Sequence, residues 1–75
     1  MIGYSQLIVQ SNKSADGKLL GVKLGRYCIG NDIPVKDVME YFGVSKQTVY
    51  NWFIGSTEVS KSYRPEVTEF LDGVK

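Results

Sequence analysis

Between Ser45 and Ile54 the chain reads Ser-Lys-Gln-Thr-Val-Tyr-Asn-Trp-Phe-Ile, with apolar and hydrogen-bonding side chains interleaved at helical spacing. Val49, Trp52 and Phe53 fall on one side of such a helix. Lys46, Gln47, Tyr50 and Asn51 fall on the other, and Ser45 and Thr48 lie at its N-terminal end. These are donors and acceptors of suitable reach for base edges, and a protruding helix that carries them suits readout of the DNA major groove. Other chemistries are poorly served. The chain has no His, which removes the commonest general base, the commonest metal ligand and every Ser-His or Cys-His nucleophile arrangement. Its single Cys28 excludes an intrachain disulfide framework and a Cys-based zinc site. Asp32, Asp37 and Glu40 imitate a carboxylate cluster, but no His or Cys accompanies them. Neither an enzyme nor a metal site is expected, and no cofactor.

A surface helix needs elements to hold it. Gly43 breaks the pattern ahead of Ser45, and a glycine there allows the left-handed backbone of a tight turn between crossed helices. Ser45 is placed to cap the helix 46–54, which stops at Gly55. Before the turn, Val35, Val38, Met39 and Phe42 make an apolar stripe over a helix 34–42. Pro34 suits its first turn, and Asp37 sits near the positive end of its dipole. Upstream, Leu20, Leu24, Tyr27 and Cys28 mark a helix from Lys18 to about Gly30, with Asp16 as its N-cap. Gly21 and Gly25 lie on one face of that helix and each weakens it by about 1 kcal/mol relative to Ala. Close approach of another element is the expected compensation. A last helix begins around Pro65, with Val67, Phe70 and Leu71 on one side. The segment from Tyr4 to Val9, rich in β-branched and aromatic residues, reads as a short strand or extended arm. The expected fold class is all-α: a small bundle of four to five helices with a helix-turn-helix. Residues 1–17 form the arm or strand, a candidate dimerisation element, and residues 18–75 the helix-turn-helix domain.

The stretch from Val35 to Gly55 resembles the helix-turn-helix of the phage repressor and Cro-like DNA-binding family. The strongest part is Gly-Val-Ser-x-x-Thr-Val-x-x-Trp, from Gly43 to Trp52. Met39 departs from the family pattern, where a small residue is usual at the helix crossing. Its larger side chain would splay the pair or fill space left by Gly21 and Gly25. The resemblance implies base contacts from Lys46, Gln47 and Asn51. Chemically, lysine donates to guanine O6 and N7, and glutamine pairs with adenine N6 and N7. It further implies backbone contacts from Lys36, at the N-terminus of the first helix of the motif, and from Ser45, Thr48, Tyr50, Ser56, Lys61 and Arg64.

Plainer roles compete for the same residues. Ser45 is first a helix cap, and Thr48 can bond back to its own helix. Lys36, Lys61 and Arg64 taken singly are solvated charges. Lys23 and Arg26 either extend a phosphate-facing surface or keep an outer face hydrated. Phe42, Trp52 and Phe53 read as core, and Cys28 as a small buried apolar residue.

The 75 residues suit one small domain, and nine Lys and Arg against eight Asp and Glu leave a net charge of only +1. One such module would bind DNA weakly, so a homodimer on half-sites about 10 bp apart is expected. The resulting expectation is a sequence-specific binder of double-stranded DNA: a phage or mobile-element transcriptional regulator in the cytoplasm of a bacterial host. No membrane and no small-molecule ligand is expected. Two alternatives stay open. One is a protein-interaction module on the same scaffold, a polymerase modulator or an antirepressor, which the near-neutral charge favours. The other is an accessory protein that organises DNA architecture.

Overall fold

The structure, a computed structural model, describes residues 4–73. Five helices follow one another: α1 (Gln6–Ser14), α2 (Leu20–Gly30), α3 (Val35–Phe42), α4 (Lys46–Phe53) and α5 (Arg64–Gly73). No strand occurs among the described residues, so the fold is a small all-α bundle. The first three residues of the expected arm lie outside the described residues.

The segment Tyr4 to Val9 was expected as a strand or arm; Gln6 to Val9 instead form the first part of α1. Ser5 supplies the N-cap, its Oγ accepting from the Ile8 N–H at 3.2 Å, and Lys13 stands in the last turn, at the negative end of the dipole. A lone strand would leave its ladder groups without a partner, whereas a helix satisfies them internally. The fully buried residue of α1 is an amide: Asn12 is only 2 % exposed.

α2 runs through the centre and packs on α1, α4 and α5. It starts at Leu20 rather than Lys18. The Asp16 carboxylate is not its cap; it accepts from the Lys18 N–H at 2.9 Å and closes a turn ahead of the helix. Extended Leu19 occupies the N-cap, with no side-chain hydrogen bond. Both inner glycines are contact points. A Cβ on Gly21 would stand 2.6 Å from the Trp52 carbonyl oxygen, and one on Gly25 would stand 2.8 Å from Phe53 Cγ. The bare α2 backbone therefore lets the end of α4 lie directly against it. Trp52 and Phe53 fill the space beside the glycines; Met39, half-buried on α3, does not.

Leu24, Cys28, Val38, Phe42, Val49, Trp52 and Phe53 share one buried cluster, closed from below by Val59 and Val67. Phe42 of α3 meets Trp52 of α4 edge to face at 5.7 Å, and Phe70 of α5 packs behind it at 5.8 Å. Such pairs add about 0.5–1.5 kcal/mol beyond area burial. They seal α3 against α4 and leave the outer side of α4 to solvent. No helix among the described residues is long and apolar enough to cross a membrane.

Candidate nucleic-acid interface

The turn that sets α4 against α3 is built from three residues. Gly43 adopts φ +68°, a left-handed conformation, and its N–H donates to the Met39 carbonyl at 2.8 Å. The Val44 N–H reaches the same carbonyl at 3.2 Å. Ser45 then turns the chain into α4, its Oγ accepting from the Thr48 N–H at 3.2 Å and lying 3.0 Å from Thr48 Oγ1. The Ser45 hydroxyl thus caps the helix, as its plainer reading had it, and remains exposed, while the Thr48 hydroxyl pairs with it.

Beyond the cap, Val49, Trp52 and Phe53 point inward and are buried. Lys46 and Gln47 are exposed, and Asn51 and Tyr50 are half-buried. Gln47 Nε2 donates to Asn51 Oδ1 at 3.0 Å, which ties the two amides together one turn apart. The Asn51 backbone carbonyl accepts from the Ser56 N–H at 2.9 Å, so the exposed Ser56 is anchored next to the end of α4. Tyr50 leans the other way, its ring centroid 6.4 Å from that of Tyr4 and 6.5 Å from that of Phe53.

The candidate phosphate contacts divide into two groups. Lys36 is exposed in the first turn of α3, where Pro34 is the N-cap and no side chain caps the helix. The exposed Asp37 and Glu40 share that outer side of α3, so its charge is mixed. Lys61 is exposed in the loop before α5. Arg64 is already engaged: its guanidinium bonds Glu58 Oε1 at 3.2 Å and the Val59 carbonyl at 3.3 Å, which fastens that loop. Arg26 is engaged as well. Its NH2 group reaches the carbonyls of Asn12, Lys13 and Ala15 at 3.1–3.3 Å and caps the C-terminal end of α1. Lys23 stays exposed.

Three residues hold the framework behind the interface in ways the sequence reading did not anticipate. The buried Asn12 donates from Nδ2 to the Phe53 carbonyl at 2.6 Å and to the Val22 carbonyl at 3.2 Å. It thereby satisfies a carbonyl at the C-terminus of α4, which has no partner within its own helix. The Tyr4 hydroxyl donates to the Ile33 carbonyl at 2.6 Å just ahead of α3, while its ring packs on Tyr50 and Phe53. Burial pushes the Tyr4 phenol up from its ordinary value, with Cys28, Tyr50 and Asp37 adding to the shift. Arg26 is the third.

Among the described residues, no group of three or more His, Cys, Asp or Glu is arranged to hold a metal ion, and every buried side-chain nitrogen and oxygen has a hydrogen-bond partner. No protein-family model, curated protein or solved structure matches the chain.

Proposed function

We propose that this chain is a sequence-specific binder of double-stranded DNA that reads the major groove with α4 and acts as a phage or mobile-element transcriptional regulator. The observation that carries the reading is the outer face of α4. Lys46, Gln47 and Asn51 stand there on a capped helix whose opposite face is locked into the core by Val49, Trp52 and Phe53. Base-edge readout needs this combination, because donors and acceptors discriminate only when their backbone is fixed. Lys36 and Lys61 are the cations free to meet phosphate from α3 and from the loop before α5. Two copies would bind a symmetric site, and α1 offers a surface for self-association on which Leu7 is 74 % exposed.

Salt dependence tests the reading. Two or three lysines engaged on each side of a dimer give a slope of log K against log salt of roughly −4 to −5. A flat dependence would refute DNA binding through these residues. One observation favours the other reading, a protein-interaction module. Tyr41 of α3 is 49 % exposed and stacks edge-on against Phe70 at 4.9 Å, an aromatic pair open to a partner. A complex made there would be largely insensitive to salt.

A further inference from the structure

One hydrogen bond on the outer face of α4 changes what its two amides can read. A free primary amide offers an acceptor oxygen and two donor protons, and either Gln47 or Asn51 alone could match adenine, which shows the N7 acceptor beside the N6 donor. The bond from Gln47 Nε2 to Asn51 Oδ1 makes them unequal. The Asn51 oxygen is turned back along the helix, and its Nδ2 protons are what it has left for a partner outside the protein. Gln47 keeps its Oε1 and its second Nε2 proton. Both ends of the bridge sit on fixed backbone. Gln47 is in the first turn behind the Ser45 cap, and the Asn51 carbonyl holds the N–H groups of Ser56 and Thr57 at 2.9 and 3.3 Å.

From this we infer that the Gln47–Asn51 bridge sets the specificity of the reading face. Gln47 takes adenine, and Asn51 takes a base edge that only accepts, guanine through N7 and O6 or thymine through O4. The inference rests on the proposed DNA-reading function and narrows it to two adjoining base positions with different chemistry. Neither residue type alone would give that difference, because both amides carry the same groups.

Two substitutions read the direction of the bond. A glutamate at position 47 can only accept, so Gln47→Glu forces Asn51 to donate to it and turns the Asn51 oxygen outward. Asn51→Asp keeps an acceptor where one already stands and leaves the bridge as it is. Selection of bound duplexes from a random library, with wild type and each variant, gives the base preferences directly. Thermal unfolding by circular dichroism confirms that each variant is folded. Preferences are compared within each variant, so the general loss of affinity from an added carboxylate cancels.

For wild type we expect adenine beside guanine or thymine. Gln47→Glu should change both positions, to cytosine at its own and to adenine or cytosine at the Asn51 position. Asn51→Asp should change only its own position, to cytosine. Each change should be on the order of 10- to 100-fold in relative enrichment. A Gln47→Glu variant that alters one position alone overturns the inference, whether the residues act independently or the bond runs the other way. A wild type with no enriched motif removes the DNA reading itself, and with it this inference.

Discussion

Gly21→Ala puts one methyl group where α2 and α4 touch, and two opposing effects decide its sign. Alanine favours the helix by about 1 kcal/mol over glycine. Against that, the new Cβ would lie 2.6 Å from the Trp52 carbonyl oxygen, 2.8 Å from Trp52 Cβ and 3.0 Å from the Trp52 carbonyl carbon. Two of these three atoms are backbone, so no rotamer change relieves the clash and α4 must move away from α2. Overpacking of this kind costs about 1–3 kcal/mol, which outweighs the propensity gain by about 1–2 kcal/mol when the site is stiff. For a domain of this size, the melting temperature should fall by about 5–15 °C. Gly30→Ala is the control. It lies at the exposed end of the same helix, with nothing within 4 Å of its added Cβ. There the same substitution should stabilise by about 0.4–1 kcal/mol and raise the melting temperature by about 2–8 °C. Far-UV circular dichroism melts of the three proteins suffice. A Gly21→Ala protein that melts at or above wild type would refute close α2–α4 packing as the reason for that glycine.

Other perturbations separate structural from functional roles. Asn12→Leu keeps the branching at Cγ but leaves the Phe53 carbonyl without a donor and adds bulk at a tight site, which should destabilise by at least about 1–3 kcal/mol in denaturant titrations. An unchanged midpoint would show that the amide contributes nothing to α4. Arg26→Ala should speed amide exchange in α1 and leave the salt slope of DNA binding as it was, since its guanidinium caps a helix. Lys36→Ala should instead reduce that slope by about 2, one phosphate contact from each half of the dimer, with no change in exchange; the reverse pattern would exchange their roles. Burial pushes the Cys28 thiol from 9.0 up to about 12, so the unfolded chain releases its proton first as pH rises. Stability should therefore be complete below pH 9.0 and fall as pH climbs toward 12, at no more than about 1.4 kcal/mol per pH unit from this group. Tyr4, also raised, adds a decline of the same sign. Unfolding measured across this range should show a shallower decline for Cys28→Ala, and an identical slope would contradict the assignment.

Local signals carried much of this molecule into view before its structure. The left-handed Gly43, the Ser45 cap and the buried triplet Val49, Trp52 and Phe53 are all set within a few residues of one another, where sequence spacing decides. The close approach at Gly21 and Gly25 was legible because two glycines on one helical face weaken a helix without an obvious local reason. α1 was not legible as a helix. Leu7, Ile8 and Val9 run together as a strand would, and the residue that completes the buried face is a polar amide. Asn12 belongs inside only because the ends of two other helices bring their carbonyls to it, an arrangement that no local pattern encodes. The arginines show the same limit. Arg26 and Arg64 look like free cations in sequence, yet folding places unpaired carbonyls, and for Arg64 a glutamate, within their reach. The bond between Gln47 and Asn51 follows from their spacing of one turn, but its direction needs the side-chain geometry.

The most direct measurement is selection from a random duplex library with wild type and a Lys46→Ala/Gln47→Ala double variant, each at low and high salt. DNA reading through α4 requires that wild type enrich a defined motif, that the enrichment weaken with salt, and that the folded double variant lose the motif while keeping weak salt-sensitive binding. A wild type that enriches nothing, or a double variant that enriches the same motif as strongly, would contradict it.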